Sequence, residues 1–280
     1  MKIVLTGATG FIGRHVAAEC ARRGLAPTIV CRPGTTVPPE LPASAIVECD
    51  IAAPPDDLYQ ALDRPDVVIH LAWDGLPDYK SLRHIEEELP AQYRFLKRLI
   101  VSGVRHCVVA GTCLEYGLQC GELSEECAAR PITAYGFAKD SLRRQLQFLH
   151  TYHRFSLTWA RLFYTYGAGQ PKTSLYTQLR AAALRGDTHF PMSAGEQLRD
   201  YLPVEDVARA VVALALRSDG ADIVNVCAGR AVSVRRLVEQ WIEANGWAIT
   251  PDLGCYPYPD YEPLAFWGAR GKLDSLLERP

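Results

Sequence analysis

The glycine-rich turn at residues 6–13 is the sequence feature that most constrains the fold. It reads TGATGFIG, with an apolar run before it and a helical pattern after it. The first glycine permits a tight turn, the second lets the backbone approach a pyrophosphate, and the third lets the helix pack closely against the strand. Exposed N–H groups and the positive end of the helix then favour phosphate binding. We therefore predict a dinucleotide-binding site formed by Gly7, Thr9, Gly10, Phe11, Ile12 and Gly13.

Short apolar runs and amphipathic stretches alternate along the first half of the chain. Alternation at this spacing predicts a parallel sheet covered by helices on both faces. Because crossover connections are right-handed, the doubly wound strand order 3-2-1-4-5-6 is the default. The predicted strands are residues 2–6, 27–31, 45–48, 66–71, 106–110 and 156–162, and the predicted helices are residues 11–23, 79–102 and 132–150.

The pattern is less regular after Tyr166. Helices are predicted at residues 171–185, 204–216 and 234–244, and strands at residues 198–202 and 223–226. The tail, residues 251–263, is rich in Pro and Tyr and is typical of a loop wrapped over another element. Ligands bind at the carboxyl ends of the strands in such sheets. We therefore predict an α/β fold, a Rossmann-type doubly wound parallel sheet (residues 1–163 and about 196–226) with a small C-terminal substrate-binding lobe (residues about 164–195 and 227–280).

Charge and cysteine content argue against several classes of protein. A net charge of −2 and a pI near 6.4 provide no basic surface for nucleic acid or an anionic membrane. No apolar run approaches the roughly 18 residues of a membrane span, and strand-like sequence begins at once, with no signal peptide before it. The cysteines include no CxxC pair and no paired histidine ligands, so we expect reduced thiols and no metal site. These features predict a cytoplasmic protein.

The end of the second predicted strand distinguishes the two nicotinamide cofactors. A site that prefers NAD usually carries Asp or Glu about twenty residues after the glycines, where it bonds the ribose 2′-hydroxyl. Here that place reads Val30-Cys31-Arg32, so an arginine suited to a 2′-phosphate stands where the acid is expected. We predict NADP(H) in preference to NAD(H), with Arg32 on the phosphate and Asp50 and Ile51 near the adenine. A solvated surface role for Arg32 and a turn role for Asp50 are the alternatives.

Five motifs follow one another along the chain: TGATGFIG at 6–13, HLA at 70–72, Thr112 followed by Tyr116-Gly117, YGFAK at 135–139 and RDYL at 199–202. They occur in the order found in the extended short-chain dehydrogenase/reductase family, which the chain resembles over about residues 1–210. The family comprises nucleotide-sugar epimerases, dehydratases and reductases. The resemblance implies an NAD(P)-dependent enzyme in which Leu71, Ala72 and Lys139 also contact the cofactor, and a homodimer formed through the helices predicted at 79–102 and 132–150.

Tyr135 and Lys139 lie one helical turn apart and therefore on one face of a helix. A tyrosine with a pKa near 10 is a poor acid or base at neutral pH, and an adjacent ammonium lowers that pKa. Thr112, at the end of the fifth strand, is expected to donate a hydrogen bond to the substrate oxygen on which charge develops. We predict that Thr112, Tyr135 and Lys139 are catalytic, with Tyr135 exchanging a proton while C4 of the nicotinamide exchanges hydride.

Departures from the family's sequence patterns reduce the number of candidate reactions. The 4,6-dehydratases carry an Asp-Glu pair three and two residues before the tyrosine of the Tyr-Gly motif, where this chain has Cys113 and Leu114. Glu115 is one residue late, and a one-residue shift on a strand reverses the direction that a side chain faces. GDP-fucose-synthase-like epimerase/reductases place a cysteine at the position of Leu114. Dehydration and 3,5-epimerisation are therefore disfavoured, which leaves ketone–alcohol chemistry at one carbon.

Two further positions bear on the substrate. Tyr164 stands where the family often has an asparagine that touches a substrate phosphate. Arg199 is retained and is suited to pair bidentately with a diphosphate, although a structural salt bridge to Asp200 or Glu205 is the alternative. The predicted substrate-binding residues are Trp73, Thr112, Cys113, Glu115, Tyr135, Tyr164 and Arg199.

The run TCLEYG at 112–117 also resembles reductases of nucleotide-linked 4-keto-6-deoxysugars, and an NADP-type pocket favours net reduction. The resemblance therefore implies an NADPH-dependent reductase of a nucleotide-linked 4-keto-6-deoxyhexose, with Tyr135 as the proton donor. Three alternatives stay open: a nucleotide-sugar 4-epimerase that works through a transient ketone, a reductase of a small non-nucleotide ketone, and a non-catalytic NADP(H)-binding sensor. Sensors of this lineage typically lack the Tyr-Lys pair, so Tyr135 and Lys139 favour an enzyme.

Overall fold

The computed structural model describes residues 1–217 and 219–278. Residue 218 of the predicted dinucleotide-binding domain and residues 279–280 of the predicted lobe lie outside the described residues. The strands are β1 (Ile3–Thr6), β2 (Thr28–Cys31), β3 (Ala45–Glu48), β4 (Val67–His70), β5 (His106–Thr112), β6 (Gly121–Leu123), β7 (Ser156–Leu162), β8 (Tyr164–Tyr166), β9 (His189–Pro191), β10 (Leu198–Arg199), β11 (Tyr201–Pro203), β12 (Asp222–Val226), β13 (Val232–Ser233), β14 (Thr250–Asp252) and β15 (Phe266–Gly268). The helices are α1 (Phe11–Arg22), α2 (Leu58–Ala61), α3 (Leu89–Ser102), α4 (Ala134–Tyr152), α5 (Leu175–Arg185), α6 (Val204–Leu216), α7 (Val234–Asn245) and α8 (Gly271–Leu277), with a π-helical turn at His84–Glu88 and a 3₁₀ turn at Cys113–Tyr116.

In the described part of the chain, seven parallel strands form one sheet in the order β12-β7-β5-β4-β1-β2-β3. This confirms the predicted α/β fold and the predicted order of its six strands, to which β12 is added beyond β7. Because these strands run in the same direction, their carboxyl ends share one edge of the sheet. The glycine turn after β1, the HLA segment at the end of β4 and Thr112 at the end of β5 therefore meet at this edge.

The sheet separates two hydrophobic cores. Successive residues of a strand point to opposite faces, so Ile3 and Leu5 of β1 pack with α1 and α6, whereas Val4 packs with α3 and α4. β1 and β4 are buried throughout, as parallel strands covered on both faces must be. Burial of each such Val, Leu or Ile side chain stabilises the fold by about 1.5–3 kcal/mol.

A third core lies outside the sheet, between α5 and α7. Leu179 of α5, Phe190 of β9 and Trp241 of α7 are buried in it. Tyr176 and Trp241 pack edge to face, with ring centroids 5.1 Å apart. This core faces the carboxyl edge of the sheet, and a cleft lies between the two.

The helix predicted at 79–102 is shorter in the structure. Its α-helical part begins only at Leu89, after the π-helical turn. Pro90 lies in the first turn of α3, where its missing N–H is tolerated. Further into a helix its ring would crowd the carbonyl four residues earlier. No helix among the described residues is both long and apolar enough to cross a membrane.

The strand predicted at 198–202 is divided in two. β10 pairs with β13, whereas β11 pairs with β8. Asp200 separates the two pieces because it is buried and accepts hydrogen bonds from the N–H groups of Ala228, at 2.6 Å, and Gly229, at 2.9 Å. The turn after β12 is thereby fixed to the break between β10 and β11.

Candidate active site

A cavity of about 570 Å³ opens at the carboxyl edge of the sheet. Its wall runs from the glycine turn, past the ends of β4, β5 and β7, to α5 and α7. The predicted site residues on this wall are Gly7, Gly10, Phe11, Ile12, Gly13, Leu71, Trp73, Thr112, Cys113, Tyr135, Lys139 and Tyr164. The predicted site residues away from it are Thr9, Arg32, Asp50, Ile51, Ala72, Glu115 and Arg199.

The three glycines of the turn meet different requirements. A Cβ on Gly7, whose φ is +73°, would lie 2.8 Å from the Ala72 nitrogen, and a Cβ on Gly13 would lie 2.0 Å from the Gly7 oxygen. A Cβ on Gly10 would meet only the Gly7 oxygen, at 3.2 Å. The fold therefore requires glycine at 7 and 13. The bare backbone of Gly10 suits a ligand that approaches as closely as a pyrophosphate does.

His70, which the sequence did not single out as a site residue, ties the glycine turn to the end of β4. Its Nε2 lies 2.8 Å from Gln92 Oε1 and its Nδ1 lies 2.9 Å from the Thr6 hydroxyl. Because an amide oxygen only accepts, Nε2 donates to it and Thr6 donates to Nδ1. Burial and, to a smaller extent, the charge of Lys139 lower the pKa of His70 to about 3. The ring is therefore neutral, and the Thr6 oxygen in turn accepts the Ala72 N–H at 3.2 Å.

The end of β5 and the start of α4 bring the three predicted catalytic residues together. Thr133 begins α4 by accepting the Gly136 N–H at 3.1 Å. Lys139 Nζ donates to the carbonyl of Ala110 in β5 at 3.0 Å and lies 5.8 Å from the centroid of the Tyr135 ring. A side-chain hydrogen bond links Thr112 to Tyr135. Hydroxyl groups and an ammonium thus converge at one end of the cavity.

The pKa shifts at this end differ from the sequence-based expectation. Burial raises the pKa of Tyr135, and the hydrogen bond with Thr112 offsets this only in part. Burial also lowers the pKa of Lys139 to about 7, although nearby carboxylates raise it. The expected lowering of the Tyr135 pKa by a neighbouring ammonium is therefore not observed, because burial, together with Tyr79, Glu115 and Cys113, raises it.

Glu115 lies behind the end of β5 and does not line the cavity. It is fully buried, and its carboxylate accepts the Thr112 N–H at 2.8 Å, Arg161 Nε at 2.7 Å and Trp159 Nε1 at 2.9 Å. The prediction that Glu115 contacts substrate does not fit this position. Its carboxylate holds the backbone of Thr112 instead, and its charge is compensated by Arg161.

Trp73 covers Lys139. Its ring centroid lies 3.9 Å from Lys139 Nζ, and its Nε1 donates to Nδ1 of the buried His84 at 3.0 Å. His84 Nε2 donates to the carbonyl of Asp78 at 2.8 Å, which fixes the ring. The centroids of the His84 and Tyr135 rings lie 5.3 Å apart. His84 lies in the stretch predicted as plain helix, and no sequence motif marked it.

Arg199 lies at the opposite end of the cleft. Within residues 1–217 and 219–278 its ion-pair partner is Glu262, at 3.0 Å, rather than Asp200 or Glu205. It is buried and also donates to two backbone carbonyls, at 2.9 and 3.1 Å. The second oxygen of Glu262 accepts the Tyr164 hydroxyl. Glu262 was missed because it lies in the irregular tail, 63 residues from Arg199.

The predicted adenosine contacts lie at the surface. The side chain of Arg32 is 73% exposed and lies 3.3 Å from Asp74, which also binds Arg83 at 3.2 Å. Asp50 accepts the Ala52 N–H at 2.9 Å and closes a turn. Arg32 is therefore accessible to a phosphate but shares its carboxylate partner with a second arginine.

Comparison with known proteins extends these observations. The model of the NAD dependent epimerase/dehydratase family matches residues 3–227. The dTDP-6-deoxy-L-talose 4-dehydrogenase (NAD(+)) of Aggregatibacter actinomycetemcomitans is 27% identical over 96% of this chain and 100% of its own length. The dTDP-6-deoxy-L-talose 4-dehydrogenase (NAD(P)(+)) of Kitasatospora kifunensis is 30% identical over 92% of this chain and 83% of its own.

A solved structure, MoeE5 in complex with UDP-glucuronic acid and NAD, is 28% identical to this chain. It superposes with a TM-score of 0.83 and covers 99% of this chain and 92% of MoeE5. The similarity therefore includes the sheet and both sides of the cleft.

Proposed function

The chain belongs to the NAD dependent epimerase/dehydratase family, and on that premise we propose that it is an NADPH-dependent reductase of a nucleotide-linked 4-keto-6-deoxyhexose. The observation that carries this proposal is the convergence of Tyr135, Thr112 and Lys139 beside Cys113 and Leu114, which supply no carboxylate for eliminating water. The two relatives named as 4-dehydrogenases support the substrate class. Oxidation of a C4 hydroxyl is the reverse of reducing a 4-ketone.

The three catalytic side chains have different roles in this reaction. Tyr135 gives its proton to the ketone oxygen, and its raised pKa keeps the hydroxyl protonated at neutral pH until that oxygen, as it becomes an alkoxide, is the stronger base. Thr112, whose N–H is held by Glu115, donates a hydrogen bond to the same oxygen. Lys139 binds the cofactor ribose and provides positive charge near the developing alkoxide. A bound nicotinamide supplies the hydride.

We also propose that the chain's own residues select NADP(H). The turn at Gly7, Gly10 and Gly13 would hold the pyrophosphate, and the exposed Arg32 would hold the 2′-phosphate. The names of the two relatives include NAD(+) in one case and NAD(P)(+) in the other. The preference for NADP(H) therefore rests on Arg32.

The test is a fluorescence titration with NADPH and NADH, followed by turnover of dTDP-, UDP-, GDP- and CDP-linked 4-keto-6-deoxysugars. We expect NADPH consumption with one nucleotide series and a loss of about 10²–10⁴-fold in kcat for Tyr135→Phe, the contribution typical of a positioned acid. Tyr79→Phe is the matched control, because Tyr79 lines the same cavity with its ring 5.6 Å from that of Tyr135.

Other outcomes would replace the proposal. Interconversion of 4-epimers without net NADPH consumption would establish a 4-epimerase. Turnover of small ketones alone would show that the substrate is not linked to a nucleotide. Tight NADPH binding without turnover of any ketone would indicate a sensor, and tighter binding of NADH would contradict the role of Arg32.

We further propose a homodimer formed through α3 and α4. Phe137, Phe148 and Tyr152 of α4 are 49%, 74% and 81% exposed, and their spacing puts them on one helix face. Exposed apolar patches of this kind mark protein interfaces. Light scattering should give twice the 31.0 kDa chain mass for the wild type and a single chain mass for Phe148→Glu. A monomeric wild type would refute the dimer.

Two assignments complete the proposal. Residues 1–163 and about 196–226 would form the cofactor domain, and residues about 164–195 and 227–280 the substrate lobe, around the separate core between α5 and α7. The nine cysteines are free thiols, which fits a reducing, cytoplasmic setting. Cell fractionation tests the setting, and limited proteolysis that cuts between the two units tests the division.

A further inference from the structure

A second cavity, of about 280 Å³, adjoins the first at the Arg199 end of the cleft. The two cavities share Tyr164, Leu175, Tyr201 and Glu262 as wall residues. The hydrogen bond from Tyr164 to Glu262 therefore lies in the partition between them. A ligand that reaches from Arg199 to Tyr135 must pass this partition.

The buried guanidinium of Arg199 requires an anion. Arg199 is 3% exposed, and its positive charge would be strongly destabilising without a partner. Two backbone carbonyls fix its position, and Glu262 supplies the carboxylate. Burial and the charge of Glu262 raise the pKa of Tyr164, so its hydroxyl remains a donor to Glu262. Both oxygens of Glu262 are thus engaged at the place where Arg199 would meet a substrate anion.

The segment that carries Glu262 is here called the tail loop (residues 253–262). Apart from Glu262, it is attached by the Cys255 N–H, which donates to the Met192 carbonyl at 2.8 Å, by the Tyr261 ring, whose centroid lies 5.7 Å from that of Tyr79, and by exposed contacts. Lys80 and Asp260 pair at 2.8 Å, but their side chains are 62% and 79% exposed. The Tyr258 hydroxyl donates to Glu196 at 3.2 Å, again at the surface. Exposed pairs of this kind contribute little to stability because water screens them. The buried contacts of Glu262 are therefore a principal attachment of the tail loop.

We propose that Glu262 is an internal counter-ion that the diphosphate of the substrate displaces from Arg199, so that Glu262 gates the passage between the two cavities and selects diphosphate-linked sugars. This inference rests on the proposed nucleotide-linked substrate. A diphosphate carries more charge than one carboxylate and presents oxygens in a geometry that suits the guanidinium fork. A free sugar has no anion with which to displace Glu262 and leaves the partition closed.

The experiment is calorimetric titration of the full chain with dTDP and UDP, comparing wild type with Glu262→Gln. The amide keeps the size of the side chain but removes its charge, so the nucleoside diphosphate no longer competes with a charge-assisted bond. We expect binding about ten- to a hundredfold tighter in Glu262→Gln, the range that such bonds represent. Asp260→Asn is the matched control because it removes an exposed carboxylate from the same loop, and we expect a change of less than about threefold.

Hydrogen exchange gives a second measurement. On binding dTDP, amides of the tail loop should exchange faster in the wild type, since Glu262 leaves Arg199. A merely structural role for Glu262 would leave their exchange unchanged or slow it. Thermal melting of Glu262→Gln confirms that the variant is folded before its affinity is interpreted.

Two results would overturn the inference, and they are distinguishable. Equal or weaker binding by folded Glu262→Gln would mean that Glu262 does not compete with the ligand, while the nucleotide-linked substrate would stand. No binding of dTDP or UDP by either protein, together with no turnover of the nucleotide-linked ketones, would overturn the proposed substrate class and the gate with it.

Discussion

Two buried cations lie at opposite ends of one cleft and are compensated in different ways. Lys139 is 2% exposed and has the Ala110 carbonyl and the Trp73 ring as neighbours, with no carboxylate of the described residues within ion-pair distance. Arg199 is 3% exposed and is paired with Glu262. Burial consequently lowers the pKa of Lys139 to about 7, whereas a guanidinium stays charged throughout the physiological range.

The difference assigns different work to the two ends. A cation that titrates near neutral pH responds to the charge on its neighbours, and Lys139 lies beside Tyr135, the proposed proton donor. A permanently charged cation can only exchange one anion for another, and Arg199 stands where a substrate anion would arrive. If the proposed function holds, the cleft combines a variable charge at the site of the reaction with a fixed charge at the site of substrate recognition.

The largest effect is expected from replacing the variable charge by a fixed one. Lys139→Arg should lower kcat/KM for ketone reduction by about 10²–10³-fold, because the wider guanidinium does not fit between Ala110 and Trp73 and its charge is displaced from Tyr135. Steady-state assays with NADPH measure this. Lys80→Arg, an exposed substitution, controls for the change of residue type. Near-normal activity in Lys139→Arg would mean that any positive charge suffices. The proposed difference in role between Lys139 and Arg199 would then be wrong.

The placement of residues at the Lys139 end of the cleft could be predicted from the sequence, because short stretches of chain determine it. The apolar run of β1, the spacing of Gly7, Gly10 and Gly13 and the four-residue step from Tyr135 to Lys139 are each visible within a few residues. A parallel strand followed by a helix then fixes where such residues emerge, at the carboxyl edge of the sheet. The strand order followed from the handedness of the crossovers.

The arrangement at the Arg199 end of the cleft could not be predicted in the same way, because its ion pair joins residues that are distant in the sequence. Glu262 meets Arg199 across 63 positions, from a tail with no periodic pattern. The direction of the pKa shift of Tyr135 was also inaccessible, since it depends on how completely the folded chain excludes water from the site. Glu115 illustrates a third limit. The sequence shows a carboxylate close to Thr112 and predicts a substrate contact, but Glu115 lies behind β5, paired with Arg161 from another strand.

A pH profile sharpens the comparison with a smaller effect. Lys139 is charged below its pKa, so kcat/KM for reduction should fall as the pH rises through about 7. Trp73→Leu admits water to Lys139, and because burial is the main cause of the lowered pKa, the midpoint should move upward by about one pH unit. Trp247→Leu, in the core between α5 and α7, should leave the midpoint unchanged. The same midpoint in wild type and Trp73→Leu would show that another group titrates.

The smallest effect is expected at a third cation, Arg32. It is paired with a carboxylate, as Arg199 is, but it is exposed, whereas Lys139 and Arg199 are buried. Asp74, its partner, is kept ionised because the Gly75 N–H and the two arginines lower its pKa. Asp74→Asn should free Arg32 and tighten NADPH binding by only about two- to fivefold, since exposed ion pairs contribute little, with NADH binding unchanged. Glu87→Gln is the control, because Glu87 binds Arg83 but not Arg32. If NADPH and NADH affinities instead changed together, Arg32 would be a surface residue without a cofactor phosphate, and only the two buried cations would govern what the cleft binds.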